Sequence, residues 1–393
     1  MDFTKYIADH VREIPRSGIR DFFEVVQTMT DVISLGIGEP DYVTPWRIRE
    51  AAIFAMEKGK TGYTSNLGLP KLRQAVAKYI EQRCGVSYEP QTEVLISVGV
   101  SEALDLALRA VLNPGDEVIF HEPSYVSYNP SVLLCYGQPV AVRTSSEHEF
   151  RVLAQDIERA ITPRSKALLL SFPTNPTGGI LRAEDLEPIA EVCKRHDLIV
   201  LSDEIYSELV YEGTEHVSIA SLPGMQERTV LLNGCSKSYA MTGFRVGYAC
   251  APSPMIEAMM KIHQYAIMCA SIISQEAAIE ALENCQKEVS IMRDDYERRR
   301  NFVVNRLNEI GLRCHQPKGA FYAFPEISST GLKSKDFSLQ LLRSKRVAVV
   351  PGSAFGISGE GFVRCCFATS LDKLKEAMDR MAEFVAEIGP RQE

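Results

Sequence analysis

Short apolar runs alternate with amphipathic stretches from about residue 90: Val94-Leu95-Ile96-Ser97-Val98, then Ala103 to Val111, then Val118-Ile119-Phe120. The rhythm continues through Ala167 to Phe172, a helical pattern from Ala183 to His196, and apolar runs at Leu198 to Leu201 and Val230 to Leu232. Strand and helix periods in alternation predict βαβ units, and strands without polar alternation suit a parallel sheet covered on both faces. Beyond about residue 285 the pattern changes. A long charged helix is predicted from Glu288 to Gly311, then strand-like pieces at Ala320 to Phe324, Val347 to Val350 and Phe362 to Ala368, then an amphipathic helix from Leu371 to Ile388. That is an α+β unit, smaller than the α/β unit before it. No Pro/Gly/Ser-rich linker or internal repeat separates the two, so they are expected to pack closely.

With 393 residues, 45% hydrophobic and 24% charged, the chain has an ordinary globular composition with room for a large core. A net charge of -8 provides no basic footprint for nucleic acid, so action on small molecules is expected. The first ten residues carry charges where a signal peptide needs an apolar region, and no apolar run approaches membrane-spanning length, which predicts a cytoplasmic protein away from membranes. Ten cysteines without C-x-x-C spacing read as buried free thiols, Cys365 and Cys366 among them. The seven histidines lack metal-ligand spacing, and His263 reads as a packing or surface residue.

Candidate chemistry falls where the predicted strands end, which is where open α/β sheets bind ligands. Ser236-Lys237, with Arg245 eight residues past the lysine, can form a Schiff base with an aldehyde cofactor and hold its phosphate, although most lysines on turns are surface residues. Asp203 in Ser202-Asp203-Glu204-Ile205-Tyr206 either caps a helix or keeps a pyridine nitrogen protonated. Tyr206 is placed one helical turn further along the same face. Asn175 in Pro173-Thr174-Asn175-Pro176-Thr177-Gly178 is a turn former or an amide donor to a phenolate oxygen, and its bond to Pro176 is a candidate cis peptide. The glycine turn at Val98-Gly99 opens a helix whose first N–H groups, at Val100, Ser101 and Glu102, suit a phosphate. Tyr125, after another strand, is a core tyrosine or a ring laid flat on a planar cofactor.

In their order along the chain, the glycine turn at Gly99, the strand-end Tyr125, Asn175-Pro176-Thr177-Gly178, Ser202 to Tyr206, and Ser236-Lys237 with Arg245 resemble the fold type I pyridoxal-phosphate enzymes, specifically the class I/II aminotransferases, over almost the whole chain. Within them the pattern is most similar to the branch with aromatic, alanine, prokaryotic aspartate and N-acetyl-diaminopimelate aminotransferases. The resemblance implies a mostly parallel seven-stranded sheet in a large pyridoxal 5'-phosphate-binding domain over 46–285. It implies a small domain formed by 1–45 and 286–393. It further implies that Lys237 holds the cofactor as an aldimine and shuttles the substrate proton, with Asp203 on the ring nitrogen. Asn175 and Tyr206 would reach the ring hydroxyl and Tyr125 the ring face, while Ser236, Arg245, Val100, Ser101 and Glu102 would take the phosphate. Tyr63 would cross to the neighbouring subunit of a homodimer, and Gly38, Asn175 and Arg364 would meet the substrate, Arg364 gripping its α-carboxylate as a bidentate fork.

The activity so implied moves an amino group from an L-amino acid to a 2-oxo acid, 2-oxoglutarate first among them, by way of pyridoxamine phosphate. Ser101 stands where prokaryotic aspartate-specific members often carry a lysine, which favours an aromatic, neutral or long-chain donor, unless Arg16 or Arg20 substitutes. Two alternatives share the resemblance. A C–S β-lyase or synthase would use the same site. An effector-binding regulator would need an added winged-helix segment, for which the leader before Gly36 is short.

Overall fold

The computed structural model describes residues 1–12, 14 and 29–389. Arg16 and Arg20 lie outside the described residues. Twelve strands occur among those described: β1 (Ile33–Ser34), β2 (Val94–Ser97), β3 (Glu117–Glu122), β4 (Gln138–Arg143), β5 (Ser165–Ser171), β6 (Ile199–Asp203), β7 (Thr229–Gly234), β8 (Gly247–Cys250), β9 (Tyr322–Ala323), β10 (Val347–Ala348), β11 (Val350–Pro351) and β12 (Val363–Cys366). Seven form the central sheet in the order β2-β8-β7-β6-β5-β3-β4, parallel except for β8, which runs against both its neighbours.

The α/β reading therefore holds, with a mostly parallel sheet covered by helices. Strands β2, β3, β5, β6 and β7 are buried almost throughout, as continuous apolar runs require. Apolar clusters lie on both faces: Leu95, Val118, Leu169 and Leu201 pack with the helix Val100–Val111, and Ile119, Leu168 and Leu170 with the helix Ala183–Arg195. Strand β4 gives a weaker signal because it is the sheet edge. Its run Gln138-Pro139-Val140-Ala141-Val142-Arg143 is half exposed, and an edge position tolerates Pro139, which has no N–H to donate.

The second unit has a three-stranded sheet, β11-β12-β9, with the helices Gln286–Glu309 and Leu371–Ile388 packed around a core containing Phe321, Phe337, Val363 and Met378. The expected Val347–Val350 strand is divided. Val347 and Ala348 pair in parallel with Ile33 and Ser34, whereas Val350 and Pro351 pair with Arg364 and Val363, so the chain changes partner across Val349. This division has a consequence for ligand placement: the N-terminal strand is stitched into the C-terminal unit immediately before the Gly36–Asp41 loop. The helix after Asp203 is also corrected. Residues 204–208 form a turn, with Asp203 Oδ1 accepting from Ile205 N at 3.2 Å, so Tyr206 reaches its place through a strand-end turn.

Candidate active site

Four parallel strands deliver side chains at their carboxyl ends to one cavity of about 620 Å³. Asp203 is the last residue of β6, Asn175 follows β5, Tyr125 follows β3, and Ser236 and Lys237 follow β7. All five line the cavity together with Gly38, Val100, Ser101, Tyr206, Arg245 and Arg364. Two of the expected residues do not line the cavity: Tyr63, which is 84% exposed, and Glu102, expected there through its backbone N–H, whose side chain bonds Val98 N and His263.

At one end, three backbones converge. The helix Val100–Val111 begins after Gly99, whose φ of +78° favours glycine. A Cβ there would stand 2.6 Å from Arg245 Nη2, so the absent side chain is what lets the guanidinium lie across the turn. At Gly247 a Cβ would meet Gly99 C and Val100 N at 2.7 Å, which fixes β8 against the same turn. The helix's first N–H groups have no intrahelical acceptor, and together with Arg245 and Ser236 they make an anion cradle. Arg245 is held by its own turn, Nη1 donating to Thr242 O at 3.1 Å.

Deeper in, Asp203 accepts a hydrogen bond from Tyr128 Oη at 2.8 Å. Burial pushes its carboxyl up to about 6, with the Tyr128 and Ile205 hydrogen bonds opposing the rise. A buried carboxylate whose direct partners are neutral is expensive, and a cationic ring nitrogen beside it would relieve the cost. The Lys237 amine donates to Gly38 O at 2.7 Å and lies about 6 Å from the Tyr206 and Phe321 rings. Burial pushes it down to about 8, with Glu39 opposing and the Arg364 and Arg245 cations contributing.

Arg364 belongs to β12, and its position follows from register. Cys366 pairs with Tyr322 across the β12–β9 ladder, so Arg364, two residues away on the same face, is a diagonal neighbour of Tyr322. The guanidinium lies 4.6 Å from the Tyr322 ring and 4.9 Å from that of Phe355. Nη1 donates to Asn175 Oδ1 at 2.9 Å and Nη2 to Gly36 O at 2.6 Å, while buried Nε has no partner among the described residues. One guanidinium thus ties the loop after β5 to the second unit and keeps donor capacity for a carboxylate.

Two residues with direct parts in this arrangement were not singled out in the sequence. Tyr128 opens the helix Tyr128–Leu134 three residues after Tyr125, and its closeness to that candidate is the one signal that could have found it. Tyr322 joins the two ends of the site: its hydroxyl is 2.8 Å from that of Tyr206, and a Cβ on Gly38 would stand 2.5 Å from it. Its sequence context, an apolar strand, gave no hint. The expected Asn175-Pro176 cis bond is present, alongside cis bonds at Glu122-Pro123 and Phe172-Pro173.

An anion cradle, a buried carboxylate, a poised amine and a cation with a spare donor, all on one cavity, fit a phosphorylated pyridine aldehyde. Comparisons with known proteins agree. The family model for aminotransferase class I and II matches residues 30–381. The chain is 47% identical to an aspartate aminotransferase of Pyrococcus abyssi, covering 97% of this chain and 98% of that one. To aromatic-amino-acid aminotransferase 2 of Thermococcus litoralis it is 45% identical, with the same coverage. Among solved structures it superposes on the aromatic aminotransferase from Pyrococcus horikoshii with a TM-score of 0.90 at 47% identity, covering 94% of this chain and 99% of that one.

Proposed function

Because the chain belongs to the class I and II aminotransferases, which use pyridoxal 5'-phosphate, we propose that it transfers the amino group of an aromatic, neutral or long-chain L-amino acid to 2-oxoglutarate. The observation that carries the reading is the convergence of Lys237, Asp203 and Arg364 on one cavity. When bound, the cofactor supplies a ring that accepts the electron pair left at the substrate's α-carbon. Asp203 holds the proton on the ring nitrogen. Lys237, free as an amine for a useful fraction of the time near neutral pH, would take the proton from the donor's α-carbon and deliver it to the cofactor's aldehyde-derived carbon, and run the same transfer in reverse for the acceptor. Tyr206, whose phenol burial holds well above its usual range, stays a neutral donor, and with Asn175 it serves the ring hydroxyl. Arg364 orients the α-carboxylate, and Gly38 leaves room beside it.

The donor class rests on charge. Among the described residues the cations lining the cavity are Lys237, Arg245 and Arg364, and each already has an anion or a Schiff base to serve. An aspartate side chain would need a fourth. The distal carboxylate of 2-oxoglutarate raises the same demand, and so does that of oxaloacetate, so pyruvate, which has none, is the informative rival acceptor. Mixing the loaded enzyme with a panel of L-amino acids should convert the absorption of the lysine-bound cofactor to that of the pyridoxamine form, fastest with aromatic or neutral donors. A faster reaction with aspartate would overturn the donor assignment. Release of pyruvate and ammonia without an acceptor would favour a β-lyase.

The accompanying assignments are the large domain at 46–285, the small domain at 1–45 and 286–393, a cytoplasmic location, and a homodimer. The seven-stranded sheet falls inside the first range and the three-stranded sheet inside the second. Among the described residues no helix is long and apolar enough to cross a membrane. Val43, Trp46, Phe54 and Tyr63 are all more than half exposed in the single chain, an apolar stretch that a second copy would cover while receiving Tyr63. Light scattering is expected to give twice the mass of the chain, and a monomer at micromolar concentration would remove Tyr63 from the site.

A further inference from the structure

The carboxylate side chain of Glu102 is at odds with an anion cradle. It stands in the first turn of the helix Val100–Val111, where a carboxylate would compete with a phosphate for the same N–H groups and the same helix dipole. Both of its oxygens, however, are turned away. Oε2 accepts from Val98 N, on the near side of the Gly99 turn, and Oε1 is 2.9 Å from Nδ1 of His263. His263 comes from the helix Ser253–Ala266, which packs on Val100–Val111 through Ile256, Met259, Leu104 and Leu108. The histidine is completely buried, and its Nε2 has no partner among the described residues. An ionised carboxylate only accepts, so the ring donates from Nδ1.

We propose that His263 is a positioning residue of the phosphate cradle, acting through Glu102. Its hydrogen bond keeps the Glu102 carboxylate folded back on Val98 N. That fixes the Val98–Gly99 turn beneath the Arg245 guanidinium, which a Cβ on Gly99 would approach to 2.6 Å, and leaves the N–H groups of Val100 and Ser101 to the ligand. Removing the donor frees one carboxylate oxygen to compete for those N–H groups. The cost therefore falls on the phosphate and spares the ring. The proposal rests on the cofactor reading above.

The test is binding of pyridoxal phosphate and of unphosphorylated pyridoxal to the full-length chain freed of cofactor, followed by absorbance or protein fluorescence. His263→Phe keeps an aromatic ring and removes the donor. Its affinity for pyridoxal phosphate is expected to fall about tenfold, the usual size for one hydrogen bond to a charged group, while pyridoxal binding stays within about twofold. His263→Asn, whose amide can donate from near the Nδ1 position, is expected to restore most of the loss. If His263→Phe does not fold, Glu102→Gln decides, since it weakens the same link from the other side and is expected to show the same selective loss. Unchanged pyridoxal phosphate affinity, or equal weakening of both ligands, would overturn the role of His263. A wild-type chain that binds the two ligands equally well would instead overturn the cradle reading, and the proposal with it.

Discussion

Replacing Lys237 with alanine is expected to lower transamination by about 10,000-fold, the upper end of what one positioned acid–base group contributes, and to remove the absorption of the lysine-bound cofactor. The reason is local. The amine sits on a strand-end turn after β7, is anchored on Gly38 O at 2.7 Å, and lies among Tyr206, Phe321, Arg364 and Arg245. Burial, reinforced by the two guanidinium charges, pushes it down to about 8. At pH 7 roughly a tenth of such an amine is uncharged, against less than about a thousandth for an ordinary lysine. The rate at which the cofactor-free chain captures the aldehyde should therefore rise with pH and level off above about 8, because only the free amine attacks a carbonyl. Lys237→Arg keeps the charge and loses that nucleophile, so it should behave like the alanine variant. Activity in either variant above a few per cent of wild type, with the absorption band intact, would remove Lys237 from the mechanism.

Most of this site was legible because parallel sheets expose chemistry at strand ends. Asp203, Asn175 and Lys237 each follow an apolar run, and the order of those runs along the chain sets their neighbourhood once the sheet is parallel. What sequence could not show was the part made across elements distant in the chain. Tyr322 meets Arg364 through the β9–β12 register, and Tyr206 through a hydroxyl pair spanning 116 residues. Neither contact leaves a local pattern. Strand β8 was hidden for a related reason: Gly247-Tyr248-Ala249-Cys250 follows the Arg245 turn directly, with no polar break to mark its start, and it runs against both neighbours.

The Gly36–Thr44 segment makes the same point. Gly and Glu-Pro-Asp suggest a loop, and the sequence supported no more than room for substrate at Gly38. In the structure the segment is fastened at both ends. Ile33 and Ser34 pair with β10, Asp41 takes two hydrogen bonds of 2.8 Å from Arg299, and Tyr42 bonds Asp295 on the same long helix. Between these anchors Gly36 O and Gly38 O face Arg364 and Lys237. A loop anchored this way holds backbone acceptors against two functional cations, a job that side-chain identity does not advertise.

Asp203→Asn is expected to move stability and activity in opposite directions. The folded carboxyl sits at about 6 and its ordinary value is 3.8, because burial disfavours the charge. The folded chain therefore holds that proton more tightly than the unfolded chain, and the carboxyl's contribution to stability falls as pH rises from about 4 to about 6 and stays lost above. The penalty at pH 8 is on the order of 3 kcal/mol in the cofactor-free chain. Asparagine carries no charge to bury, and its amide can donate to Tyr128, whose hydroxyl accepts as well as donates. The cofactor-free variant should thus melt a few degrees above wild type at pH 8, with the gap closing near pH 4, where the wild-type carboxyl is protonated in the folded chain. Turnover should fall about 100- to 1000-fold, the usual loss when one preorganised electrostatic partner is removed. Calorimetry at the two pH values and steady-state kinetics together are decisive: equal melting at pH 8 would mean the carboxylate is not strained, and unchanged turnover would mean that it is not the partner of the ring nitrogen. The stability that burial takes from the empty protein is the same free energy that makes Asp203 a strong partner for a cation, so the two effects should rise and fall together in any substitution at Tyr128 that alters how the carboxylate is solvated.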